Sequence, residues 1–233
     1  MIDHVSYQVS TNVTEAVNTR RSLRAFLPDS VPQETIKTLL EKAARAPSGT
    51  NMQPWKTYVL TGARQQQLCR EVCAAFDERS KDKYTGEVPY YPKRWFEPYQ
   101  SRRRQVGWEL YGLLGLGKGD RAGMHTQHRR NFQFFDAPVG MMFTIHRDLA
   151  TGSWLDYGMY LQNIMLLARE QGLHSCPQAA WSGYHTVIRD VLSLDADEIV
   201  VCGMALGYAD PDAVENTLVT ERASFEQTVS FLE

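Results

Sequence analysis

The sequence predicts one domain in which α-helices and β-strands alternate around a buried sheet. Residues 137–145 and 198–206 are two almost continuously apolar runs, which suit central strands buried on both faces. Helical patterns lie before and between them, for example Ile36, Leu39, Leu40 and Ala43 at the i, i+3, i+4, i+7 spacing of a buried stripe. These patterns fit a parallel α/β sheet as well as an antiparallel α+β sheet. No GxGxxG motif follows a strand, so a Rossmann nucleotide site is not supported.

Composition and charge argue against some classes of function. The 233 residues are 43% hydrophobic and 22% charged, an ordinary globular balance, and the chain is long enough to bury a sizeable core. The net charge of −2, with basic and acidic residues interspersed, argues against a nucleic-acid partner. No secretory signal and no apolar stretch of 18 residues is visible, so we expect a cytoplasmic protein that does not enter a membrane.

The four cysteines are expected to be reduced and structural. Cys69 and Cys73 lie four residues apart on a predicted helix, and Cys176 and Cys202 are isolated. Neither a CxxC pair nor a histidine at ligand spacing accompanies them, so we predict no zinc site and no other metal site.

The first chemical motif follows a short helix predicted over residues 13–19. Arg20, Arg21, Ser22 and Arg24 place three guanidinium groups and a hydroxyl within five residues. Arginine forks match phosphate oxygens, so this stretch predicts a compact anion site. A solvated basic turn is the alternative.

The second motif is the sequence PSGTNMQPW at residues 47–55. A helix that starts near Pro32 must stop before Pro47, and a strand is predicted over 56–60. The stretch offers glycine for close approach and uncharged donors and acceptors suited to the edge of a heteroaromatic ring. A plain helix-to-strand connector is the alternative. The candidate residues are Pro47, Ser48, Gly49, Asn51 and Gln53.

The ordered pair, RRSxR followed about 25 residues later by PSxxNxQPW, resembles the nitroreductase family of FMN-dependent NAD(P)H oxidoreductases, in its nitrobenzoate-reductase-like branch. The resemblance extends over nearly all of residues 1–233. It implies a single α+β domain with a mainly antiparallel central sheet wrapped by helices, in an intertwined homodimer.

The resemblance also implies roles for the residues. FMN phosphate would contact Arg20, Arg21, Ser22 and Arg222, and Arg24 would lie near flavin N1 and the C2 carbonyl. The 47–53 residues would reach the ring from the partner subunit. Thr220 stands where some members have a lysine, so the phosphate charge would rest on the arginines.

A second ring contact is implied in residues 176–181, which we predict to be a loop. The backbone N–H groups of Ala179 and Ala180 match those that some members direct at flavin N5, with Pro177 and Gln178 beside them. Some members carry glutamate at the Ala179 position. Gly207, at the end of the second apolar strand, corresponds to a position beside the flavin phosphate.

The implied reaction is a two-electron, ping-pong transfer from NADH or NADPH through FMN to a small nitroaromatic or quinone. The implied scheme requires no catalytic side chain. Two other functions stay open: reductive dehalogenation of halophenols, since GTNMQPW also resembles that branch, and flavin binding without turnover.

Residues 81–128 match no family motif and are predicted to form a lid, with one helix near 99–114 and a glycine-rich connector after it. Tyr90, Tyr91, Trp95 and Phe96 could stack on a flat substrate. One arginine among Arg94, Arg102, Arg103 and Arg104 could meet its carboxylate or phenolate. In the alternative, the rings form a satellite core and the arginines face water.

Three further elements complete the prediction. Helices are expected over 62–80 and 184–194. A long helix over 154–171, capped by Ser153 and closed by Gly172, is apolar on nearly every side, which indicates burial all round. By the resemblance this helix forms the core of the homodimer. Residues 225–232 form a β-prone tail.

Overall fold

A four-stranded antiparallel sheet lies at the centre of the computed structural model, which describes residues 6–78 and 85–233. The strands are β1 (Lys56–Leu60), β2 (Val139–His146), β3 (His174–Gln178) and β4 (Glu198–Gly207), in the order β1-β2-β4-β3. Every neighbouring pair is antiparallel. The predicted α+β class is therefore confirmed, and the parallel alternative is removed.

Eight α-helices surround the sheet in the described part of the chain. They are α1 (Val13–Thr19), α2 (Gln33–Ala43), α3 (Gly62–Asp77), α4 (Tyr99–Leu113), α5 (Arg121–Arg129), α6 (Thr151–Glu170), α7 (His185–Leu192) and α8 (Phe225–Thr228). Helices α2 and α6 pack on one face of the sheet, where Met141, Phe143 and Met204 are buried with Ile164. Helices α3 and α7 pack on the other face, where Leu68, Val72 and Ile188 bury Met142 and Ala205.

Several helices and both central strands lie where the apolar periodicity of the sequence predicted them. Helices α1 and α2 and strand β1 lie where they were expected, and β2 and β4 match the two apolar runs to within two residues. Helix α3 ends at Asp77, and the predicted extension to residue 80 falls on residues 79–84, outside the described part. Helix α7 is shorter than predicted, because residues 179–184 form a 3-10 helix.

Three sequence predictions were wrong. Residues 176–178, predicted as the start of a loop, instead belong to strand β3, because they pair with β4. Helix α6 begins at Thr151 with Ala150 as its N-cap, and Ser153 lies buried inside the first turn. The tail at 225–232 contains the short helix α8 and no strand, and Phe231 and Leu232 stay exposed.

Helix α6 is not buried all round within one chain. Ile164 and Ala168 are fully buried against the sheet, whereas Leu155 is 74% exposed. Gly172, in the left-handed region at φ +68°, follows the helix as predicted. Across residues 6–78 and 85–233, no helix is both long and apolar enough to cross a membrane.

Candidate functional site

The arginine motif lies in an extended segment beside strand β3. Ser22 forms a parallel bridge with Ser175, and the Leu23 N–H donates to Ser175 O at 3.2 Å. Further along, the Leu27 N–H donates to Tyr208 O at 2.9 Å, just beyond the end of β4. Backbone pairing to the sheet edge therefore fixes the position of these arginines.

Asn216 ties this segment to the chain that leads to Arg222. It is fully buried, and its Oδ1 accepts from the Arg24 N–H at 2.8 Å. Its Nδ2 donates to Ala25 O and to Asp210 O, both at 2.9 Å. One amide thus joins two segments that are about 190 residues apart. No sequence pattern indicates this role, since nothing in the spacing of Asn216 distinguishes it.

Arg20, Arg21 and Arg222 repel one another, and the described part of the chain offers them no anionic partner. Arg20, Arg21 and Arg24 are half-buried, and none of them, nor Arg222, pairs with a carboxylate in the described residues. Burial, followed by nearby Arg222 and Arg21, lowers the pKa of Arg20 below its usual value. Burial and Arg222 likewise lower the pKa of Arg21. The buried Arg21 Nε has no hydrogen-bond partner. This arrangement fits an anion carrying two charges, such as a phosphate monoester.

The exposed Arg222 folds back on its own segment. Its Nη1 donates to Thr220 Oγ1 at 2.9 Å and to Glu221 O at 2.9 Å. Thr220, at the position where the resemblance implies a lysine in some members, therefore orients the arginine instead of adding a charge.

The end of β3 places the next predicted residues beside the arginines. Gln178 is buried and its Nε2 donates to Asn131 O at 2.7 Å, while its Oε1 is buried without a partner. Ala179 and Ala180 are the first residues of the 3-10 helix, so their N–H groups have no acceptor within that helix. Half-buried donors next to a phosphate-type site suit the polar edge of a planar ring.

Trp181 anchors this 3-10 helix to the sheet. Its ring is fully buried and stacks on Phe134 with centroids 4.4 Å apart. A Cβ on Gly203, the β4 partner of Gln178, would lie only 2.4 Å from the indole, so glycine is required there. Packing also excludes a side chain at Gly207, because a Cβ there would lie 2.6 Å from Pro138 Cδ. The lack of a side chain at Gly207 is explained by this contact without any ligand.

The second motif forms a strained, mostly exposed loop before β1. Thr50, Asn51 and Gln53 all have φ between +49° and +60°, which is unfavourable for residues with side chains. The Gln53 N–H donates to Ser48 Oγ at 2.9 Å, and its Nε2 donates to Asn51 O at 3.0 Å. Such strain concentrates where a backbone must present groups to a ligand.

Asp156 of α6 holds this loop in place. Its buried carboxylate accepts from the Gly49 N–H at 3.1 Å. A Cβ on Gly49 would meet only this carboxylate, at 3.8 Å, so the other side of the glycine is open. Sequence reasoning missed Asp156, and the only available signal was a lone acidic residue within an apolar helix.

The two motifs attach to opposite ends of α6. The loop is bound at Asp156, whereas the Arg169 Nε donates to Thr19 Oγ1 at 3.4 Å, next to Arg20. Thirteen residues separate Asp156 from Arg169, a rise of about 20 Å along the helix. One chain therefore groups the predicted residues of 20–24, 177–180, 207 and 222, and keeps those of 47–53 apart from them.

Half-buried arginines beside ring-edge donors suit a phosphorylated planar cofactor. The family model described as "Nitroreductase family" matches residues 17–208. A 4-nitrobenzoate reductase of Nocardioides sp. (strain LMS-CY) is 39% identical over 217 residues, 93% of this chain and 88% of that protein.

Solved structures agree with this match. The FMN and NADPH-dependent nitroreductase NfnB of Sphigopyxis sp. strain HMH superposes with a TM-score of 0.92 at 36% identity, covering 95% of this chain and 99% of its own. The FMN-dependent NfnB of Mycobacterium smegmatis, in complex with NADPH, gives a TM-score of 0.89 at 31% identity, covering 94% and 97%. This chain belongs to the nitroreductase family.

Proposed function

We propose that this protein is an FMN-dependent NAD(P)H oxidoreductase that reduces nitroaromatic compounds, with quinones as the alternative substrate. The observation that carries the proposal is the half-buried cluster of mutually repelling arginines, for which residues 6–78 and 85–233 supply no carboxylate partner. It fits a cofactor phosphate, and it lies beside free backbone donors suited to a flavin ring. The names of the similar proteins, a 4-nitrobenzoate reductase and FMN-dependent nitroreductases, support this cofactor and this substrate class.

Each part of the site has a binding task. Arg20, Arg21, Ser22 and Arg222 hold the phosphate, and Arg24 faces the pyrimidine edge of the ring. Pro177, Gln178, Ala179 and Ala180 line the opposite part of the ring. When bound, FMN takes two electrons from NADH or NADPH and passes them to the nitro group. The chain contributes binding, orientation and exclusion of water, and we assign no catalytic side chain and no metal.

A homodimer would complete the site. The 47–53 loop and the arginines of one chain lie at opposite ends of α6, so a two-fold axis near this helix brings the loop of one subunit to the arginines of the other. The exposed Leu155 on α6 supports burial of this helix by a second copy. Pro47, Ser48, Gly49, Asn51 and Gln53 would then contact the ring from the partner subunit.

Residues 81–128 are proposed to act as a lid over the ring. The described part, from residue 85, begins beside the 3-10 helix that carries Ala179, because a Cβ on Gly86 would lie 3.6 Å from Ser182 Oγ. Glu87 continues this attachment by pairing with Arg147 at 2.9 Å. Helices α4 and α5 follow as an extension of the single domain.

A cytoplasmic location suits this chemistry, since NADH and NADPH are available there. The cysteines are all free, and burial raises the pKa of Cys69 and of Cys202 to about 12. These thiols stay protonated and unreactive, in agreement with a structural role in a reducing compartment.

The absorbance spectrum of the purified protein tests the cofactor, and steady-state oxidation of NADH and of NADPH with a nitroarene tests the reaction. We expect bound FMN and loss of the nitro group. A halophenol assayed in parallel separates dehalogenation, which would release halide. A flavin-binding module without turnover would show reduction of the flavin far below about 1 per second. Failure of the apoprotein to take up FMN would overturn the proposal.

A further inference from the structure

Three aromatic side chains of the proposed lid form a row, the exposed Tyr90 and Tyr91 and the half-buried Trp95. The rings of Tyr90 and Tyr91 meet at 4.7 Å and those of Tyr91 and Trp95 at 5.3 Å. Tyr90 is 65% exposed and Tyr91 59% exposed, so these two rings are not the satellite core that the sequence left open. A connected aromatic surface of this kind is typical of a binding face for a flat molecule.

The segment that carries the aromatic row is attached at its start beside the proposed ring contacts. Gly86 and Glu87 attach the start of the segment to the 3-10 helix and to Arg147.

One arginine of the lid is fixed against this row. The Arg103 guanidinium carbon lies 4.8 Å from the centre of the Trp95 ring. In the described part of the chain, Arg103 forms no ion pair and no side-chain hydrogen bond, and Arg94, Arg102 and Arg104 make no such ring contact. Helix α4 itself is held next to the phosphate segment, since Gln105 Nε2 donates to Glu221 Oε2 at 3.4 Å.

We propose that Arg103 selects acidic nitroaromatic substrates by binding their carboxylate while the substrate ring stacks on Tyr91 and Trp95. This inference rests on the proposed function and names its substrate class, the nitroaromatic carboxylates. A guanidinium offers a planar pair of donors to a carboxylate. Stacking on Trp95 restricts the arginine beforehand, so less side-chain entropy is lost when substrate binds.

The test compares 4-nitrobenzoate with its neutral methyl ester in the FMN-loaded enzyme. We expect the wild type to favour the acid in kcat/KM. Arg103→Ala should lower kcat/KM for the acid about 10- to 100-fold, mainly through KM, as for loss of a charged hydrogen bond, and leave the ester within about twofold. Arg103→Lys keeps the positive charge but not the planar pair of donors. Its kcat/KM for the acid should therefore lie between those of the wild type and Arg103→Ala.

Arg104→Ala is the matched control, because it removes the same charge from the next position of α4 without a ring contact. Benzoate, titrated against the flavin spectrum, gives a second readout that needs no turnover, and its Kd should rise in Arg103→Ala and not in Arg104→Ala. Equal losses for acid and ester, or equal effects of the two alanine variants, would overturn the inference. If the wild type reduces the methyl ester but shows no higher kcat/KM for the acid, the inference alone is overturned. If the wild type reduces neither compound, the proposed function is overturned as well.

Discussion

Replacing Arg21 with alanine should weaken FMN binding without destabilising the apoprotein. Two carbonyls accept from its Nη1, Asn18 O at 2.9 Å and Arg20 O at 3.3 Å, which leaves the buried Nε free for a ligand. Losing one charged partner of a desolvated phosphate costs about 2–5 kcal/mol. Because Arg21 is only half-buried, we expect the lower end, roughly a 30-fold rise in Kd.

The sign of the stability change separates this explanation from a simple folding defect. Burial and Arg222 already disfavour the charged form of Arg21, so its removal relieves repulsion in the apoprotein. We expect an unchanged or slightly higher Tm without FMN. Flavin fluorescence titration gives Kd, and thermal unfolding of the apoprotein gives Tm.

Arg222→Ala should weaken FMN binding in the same way, whereas Arg64→Ala, on the exposed surface of α3, should not. A dialysed Arg21→Ala variant that retains its full complement of FMN would refute the phosphate assignment.

Three other outcomes are expected. Leu155→Glu, on the exposed side of α6, should yield a monomer that loses FMN and turnover; a monomer in light scattering that still turns over would contradict the shared site. Arg24→Ala should lower the two-electron potential of the bound flavin with a smaller effect on its retention, because a fixed cation stabilises charge on the reduced ring, and an unchanged potential would argue against this position. Burial, then Arg169, lowers the pKa of His174 to about 3, from an ordinary value of 6.5. Between these two pKa values, only the unfolded state binds a proton on the His174 imidazole. The free energy of unfolding should therefore fall by about 2 kcal/mol from pH 7 to pH 5. His174→Gln should remove this part of the pH dependence in urea unfolding, whereas His146→Gln, at an exposed site, should not.

The sequence by itself determined those elements whose hydrophobic pattern shows which of their faces are buried. Helix α2 shows its buried stripe in the spacing of Ile36 and Leu39, and β2 shows continuous apolarity because both of its faces are covered. The two cofactor motifs were also readable, since arginine clusters and uncharged ring-edge groups are local in the chain. Their family resemblance supplied the antiparallel sheet that periodicity left undecided.

Strand β3 was decided by tertiary structure. Its residues include a histidine, a serine, a proline and a glutamine, which predict no strand by themselves. They become one because β4 pairs with them on one side and the arginine segment on the other. The start of α6 and the short α8 were similarly missed, because neither helix has a side-chain cap that would mark its start in the sequence.

The support of the candidate site was also invisible in the sequence. Asp156 reaches Gly49 across 107 residues, and Asn216 reaches Arg24 across 192. A single buried carboxylate or amide has no periodic signature, and its role exists only once folding brings its partners within hydrogen-bond distance. The sequence therefore predicted which groups are candidates for the cofactor site, whereas the fold determined what holds them and that one chain keeps the two motifs at opposite ends of α6.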